Sequence, residues 1–146
     1  MNWRALVAVT PLMMMPVAAY NLFAVLLPGG FHSRVAYETL MHPLTQLTTA
    51  SGGDWPICAS DILVAIGLLV LFVELVKSTA THRIALINHA LSMLLFVICL
   101  LELLLTPAFA TSTFFLMALM VLLDVLAGFI VTVSAMRRDD SNAHDH

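Results

Sequence analysis

The sequence predicts an all-α integral membrane protein: a four-helix bundle with a short amphipathic interfacial helix in the first extracytoplasmic connection. Three observations carry this. The chain has 146 residues, of which 61% are hydrophobic and only 10% charged, whereas soluble domains carry about 25% charged residues. So few charges do not make a water-facing surface, and lipid must cover much of this one. Stretches long enough to cross a bilayer recur along the chain, and the basic clusters gather on one side of them, with Arg34 the one basic residue in the long first connection.

A span needs about 20 apolar residues, at about 1.5 Å of rise each. The first stretch runs from Leu6 to Leu27 and holds Pro11 and Pro16. Proline removes a backbone donor, and membrane helices tolerate this where neighbours satisfy the freed carbonyl. The same stretch resembles a secretory signal, with Arg4 ahead of it and Val17-Ala18-Ala19 as a small-residue cleavage site. The apolar run continues past Ala19 to Leu27, which favours an uncleaved helix. If Ala19 is a cleavage site, three helices remain.

The connection from Pro28 to Ser60 is long for so small a protein. Tyr37, Leu40, Met41, Leu44 and Leu47 recur there at helical spacing. They predict an amphipathic helix on the membrane surface, interrupted near Pro43. Gly52-Gly53-Asp54-Trp55-Pro56 forms a turn that places Trp55 as an interfacial anchor. The second span runs from Ile62 to Val76, with Ser60 as its cap. The third runs from Ile84 to Leu105 and the fourth from Ala110 to Met136, joined at Thr106-Pro107. Residues 139–146 form a polar tail, expected to be disordered.

Arg4, Lys77, Arg83, Arg137 and Arg138 fall on one side of this arrangement. The positive-inside rule therefore puts both termini in the cytoplasm of a bacterial-type inner membrane.

Ionisable groups inside a bilayer cost about 2.5–3.5 kcal/mol each on insertion scales, so each is a functional candidate. These are Asp124, Glu102, His89 and Glu74, with Asn88 and Asn21 as neutral companions. Asp124 lies roughly 20 Å from the cytoplasmic end, by helix rise from Arg137, and has no basic residue at its depth. Glu102 falls near the outer interface, while Glu74 and His89 fall near the inner one. Glu74 is three residues before Lys77 and placed to pair with it. His89 is placed to bond a backbone carbonyl or Glu74.

The polar residues recur as stripes. Helix one carries Thr10, Met14, Val17 and Asn21, and helix two carries Gly67, Glu74 and Ser78. Helix three carries Asn88, Ser92, Cys99 and Glu102; helix four carries Thr113, Met117, Met120, Asp124 and Gly128. Small and polar faces turn inward in membrane bundles, so an inner polar seam is expected.

Other chemistries lack their residues. Among the histidines only His89 falls inside the bilayer, which does not supply two axial ligands for a haem. His32 and His42, with Glu38 or Asp54, have no fixed metal-ligand spacing. Cys58 and Cys99 form no metal-type pair, though an outer disulfide is one arrangement open to them. There is no nucleophile elbow, P-loop, dinucleotide fingerprint or HExxH. The small net charge of -3 does not suggest a nucleic-acid partner. The expectation is a non-enzymatic membrane protein without cofactor or metal. It would be an accessory, assembly or stabilising subunit partnered by another membrane protein or by copies of itself. The alternative is a small oligomeric proton- or ion-coupled transporter or channel using the intramembrane carboxylates.

Overall fold

The computed structural model describes residues 10–78 and 82–144. Leu6 at the start of the first expected span and Arg4 ahead of it lie outside the described residues, as do the side chains of Arg83, Arg137 and Arg138. The chain is mostly helical. Helix α1 covers Met14–Leu26, α2 Val35–Met41, α3 Ala59–Ser78, α4 His82–Leu105 and α5 Ser112–His144. Short 3-10 turns occupy Gly30–His32 and Pro107–Phe109.

Three helices are long and apolar enough to cross a membrane, over Ala59–Lys77, Ile87–Leu105 and Ser112–Ile130. The first of these extends the expected Ile62–Val76 at both ends, while the other two fall within the expected Ile84–Leu105 and Ala110–Met136. The first apolar stretch differs. Its described helix has 13 residues, about 20 Å of rise, short of the roughly 30 Å hydrocarbon thickness. Residues 11–13 form a turn ahead of it, closed by the Met14 amide donating to the Pro11 carbonyl at 3.1 Å. Pro11 and Pro16 supply the reason. A proline deep in a helix breaks the ladder, whereas one in the first turn costs no hydrogen bond. Starting at Met14 puts Pro16 in that first turn.

At its other end α1 stops before Pro28, where Leu27 turns extended. Gly29 then takes a φ of 86°, and a Cβ there would meet Ser33 Cβ at 2.6 Å. Only glycine makes this turn without strain.

The first connection departs furthest from expectation. A helix does form over Val35–Met41, burying Ala36 and Leu40, but it ends at His42-Pro43. Leu44 and Leu47 do not continue it; they lie in a strand. Strands β1 (Pro43–Thr48) and β2 (Asp54–Cys58) pair as an antiparallel hairpin, with Leu47 opposite Trp55 and Thr48 opposite Asp54. The fold is therefore not purely α. The reason is local. Thr45, Thr48 and Thr49 favour extended backbone, and Pro43 prevents α2 from propagating. The tip closes through the Thr49 amide donating to the Gly53 carbonyl at 2.8 Å, with Gly52 at a φ of 81°.

Helix α3 follows β2 without a linker. Its first turn is capped by Asp61, which accepts the Cys58 amide at 2.8 Å; Ser60, the expected cap, is instead buried inside the helix. At the start of α5, Thr111 Oγ1 accepts the Phe114 amide at 3.1 Å and caps the helix. That helix continues through much of the polar tail to His144, where a disordered end was expected.

Helix α5 is the centre of the arrangement, with α3 and α4 flanking it. Within the spans 39% of α5 is buried, against 22% of α3 and of α4. Gly67 of α3 lets Met120 of α5 approach, its missing Cβ lying 3.1 Å from Met120 Sδ. Helix α1 packs on this layer through Met13, Val17, Tyr20 and Ala24. That face includes Val17 of the expected stripe, but Met14 points outward.

Candidate functional site

The intramembrane polar residues fall into three groups, each joining two or more helices. The largest is centred on Glu74, whose side chain is 0% exposed. Its Oε2 accepts the Leu12 amide at 2.7 Å, and its Oε1 accepts Asn88 Nδ2 at 2.6 Å. Lys77 Nζ donates to the same Oε1 at 3.3 Å and to the Thr10 carbonyl at 2.8 Å. It also reaches Asn88 Oδ1 at 3.5 Å. The expected Glu74–Lys77 pair is present, one turn apart on α3. The reason the pair forms here lies in the first apolar stretch. The non-helical backbone ahead of Met14 presents a carbonyl and an amide that hydrocarbon would leave unpaired. A carboxylate and an ammonium satisfy one each.

The second group joins α4 to α5. Ser92 Oγ donates to Asp124 Oδ2 at 2.6 Å, and both residues are buried. The hydrogen-bond partner of Asp124 is thus a neutral hydroxyl. Asp124 also lies within electrostatic reach of Glu74, Lys77 and His89. His89 stands one turn before Ser92 and packs against Gly128. A Cβ at Gly128 would meet His89 Nδ1 at 2.6 Å. Among the described residues, His89 Nδ1 is the buried side-chain nitrogen or oxygen without a hydrogen-bond partner. The expected bond from Glu74 goes instead to Asn88, its neighbour in sequence but on the face that meets α3.

The third group lies toward the other end. Asn21 Nδ2 donates to Glu102 Oε2 at 3.3 Å and to the Val17 carbonyl at 3.2 Å. Nearby, Tyr20 joins α1 to the α4–α5 connection. Its hydroxyl donates to the Ala108 carbonyl at 3.0 Å and bonds Thr111 Oγ1 at 2.9 Å. Sequence reasoning passed over Tyr20, which is not ionisable at ordinary pH and sits in an apolar run. Its signal was a polar tip on an otherwise apolar helix, since buried tyrosine hydroxyls usually find a partner.

Trp55 lies on the hairpin, 57% exposed and away from all three groups. The cysteines are both free: Cys99 is buried, and Cys58 Sγ donates to the Met41 carbonyl at 3.2 Å. Among the described residues no group of three or more His, Cys, Asp or Glu is placed to hold a metal ion. Comparison with protein-family models, curated proteins and solved structures finds no match to this chain. What the sequence and fold define together is a class: a helical protein with three apolar helices of span length, consistent with multi-pass membrane insertion.

Proposed function

We propose that the chain is a non-enzymatic subunit of a larger membrane assembly, acting to stabilise or assemble it in a bacterial-type inner membrane with both termini cytoplasmic. The observation that carries this is the use made of the carboxylates. Glu74, Glu102 and Asp124 each accept a hydrogen bond from a residue on another segment. Carboxylates engaged in this way hold helices together. In this reading the first apolar stretch completes a four-helix bundle, and the outward faces of α3 and α4 receive the partner helices. Affinity purification in mild detergent tests it. A stoichiometric membrane partner, or a defined homo-oligomer, is the expected result. A monodisperse monomer without a co-purifying protein overturns the reading.

One observation favours the rival reading, an oligomeric proton- or ion-coupled transporter. His89 Nδ1 is enclosed without a hydrogen-bond partner, and Asp124 is within electrostatic reach of the same imidazole. Titratable groups so placed occur along proton paths. Liposomes enclosing a pH-sensitive dye separate the two. Proton flux that is lost in Asp124→Asn supports transport. No flux above that of empty liposomes supports the assembly role.

A further inference from the structure

The hairpin has two chemically different faces. Cross-strand partners share a face and successive residues alternate. Leu47 and Trp55 are partners, as are Thr45 and Ile57, so these four side chains lie together. The other face carries Gln46 and Pro56, then Thr48 and Asp54, whose side chains are joined by a 3.3 Å hydrogen bond. Leu47 is 49% exposed and Trp55 57% exposed, so the protein itself does not cover the apolar face.

The position of the hairpin narrows what does. Strand β2 ends at Cys58 and the span of α3 begins at Ala59. With about 3.3 Å per strand residue, Trp55 lies within roughly 13 Å of the end of that span. The other elements at this end expose aromatic side chains as well. Phe31 and Tyr37 are exposed, and Phe31 packs on Phe109 of the α4–α5 connection at 5.3 Å between ring centroids. Aromatic side chains at a span terminus are the pattern of a membrane–water interface. The charge at this end selects among lipids. Residues 28–61 hold Arg34 against Glu38, Asp54 and Asp61. Basic residues attract anionic headgroups, and an acidic balance does not.

We propose that the hairpin lies against the bilayer, with Leu47, Trp55 and Ile57 in the boundary between headgroups and acyl chains of a zwitterionic lipid surface. Gln46, Thr48 and Asp54 face water. The hairpin then replaces the expected amphipathic helix as the interfacial element. This is independent of the assembly role, because it concerns lipid rather than a protein partner.

Tryptophan emission tests it in the full chain. The protein has two tryptophans, so Trp3→Phe leaves Trp55 as the reporter; helical content checked by circular dichroism confirms folding. The variant is reconstituted into phosphatidylcholine vesicles with or without bromine near the glycerol end of the acyl chains. Trp55 should emit in the blue and lose about half its intensity to the brominated lipid, as an indole seated at the interface does. Replacing part of the phosphatidylcholine by phosphatidylglycerol should not deepen the quenching. A second reporter, Thr48→Trp with both native tryptophans changed to Phe, should respond to aqueous acrylamide instead. Trp55 emission quenched by acrylamide and not by bromolipid overturns the proposal. Emission insensitive to both overturns it too, since a protein surface then covers the face. A marked gain on adding anionic lipid overturns the choice of lipid class.

Discussion

The two ends of α1 are fastened by different chemistry. Ahead of its first turn, the backbone at residues 10–12 is held by a carboxylate and an ammonium, with Asn88 bridging to α4. Toward its last turn it is held by an aromatic cluster. The Tyr20 ring lies 4.9 Å from Phe114 and 5.5 Å from Phe109, and the latter two lie 4.7 Å apart. The first arrangement satisfies backbone groups of the non-helical residues just ahead of the helix. The second fills space beside an intact helix and needs one hydroxyl bond to orient it. Non-helical backbone in an apolar medium requires charged or strongly polar partners, whereas a helical segment can be held by packing and a single polar tip.

The largest expected effect is at the charged end. Glu74→Ala leaves the partly buried Lys77 against backbone with its counter-charge removed, and the Leu12 amide loses its acceptor. A loss of about 3–5 kcal/mol follows from breaking one side of a buried pair. Unfolding in mixed detergent micelles measures it. The double change Glu74→Leu with Lys77→Met should recover part of the loss, because no unpaired charge remains. No recovery would mean that the two ends do not differ in the way described. At the aromatic end Phe114→Ala should cost about 3 kcal/mol through the cavity it leaves among Tyr20, Phe109 and Met117, with no dependence on Lys77.

Gly128→Ala tests the α4–α5 seam between these ends. The new methyl would overlap the His89 ring, and an overpacked contact of this kind costs about 1–3 kcal/mol. The loss should shrink when combined with His89→Ala, since the ring is then gone. The smallest effect is expected for Tyr20→Phe. It removes only the hydroxyl that reaches Ala108 and Thr111, a loss of about 1 kcal/mol. A larger loss would show that the aromatic end depends on polar bonding as heavily as the charged one.

Much of the site was readable in the sequence because charge inside an apolar run has few explanations. Glu74 with Lys77, and Asn88 and Ser92 on one side of α4, follow from helix periodicity and rise; that Lys77 and His89 come within electrostatic reach of Asp124 does not. The partners did not follow. That Asp124 meets Ser92, or that Asn88 rather than His89 meets Glu74, depends on the rotation of one helix against another, which periodicity within a single helix does not contain. The hairpin was missed for a local reason. Leu44 and Leu47 satisfy a helical spacing and a strand equally well in so short a run, and Pro43 with the threonines after it tips the balance.

By itself, then, the sequence determined that the chain is apolar enough for lipid, where the apolar cores of α3, α4 and α5 run, and which ionisable groups they carry. Those properties are sums over local composition. Tertiary structure alone decided that α5 is the central helix. It also decided that the non-helical residues 10–12 meet Glu74 and Lys77, and that the first connection folds as a hairpin. Each of these turns on which orphaned backbone group or side chain finds a partner across the bundle, and such pairing is made between segments distant in the chain.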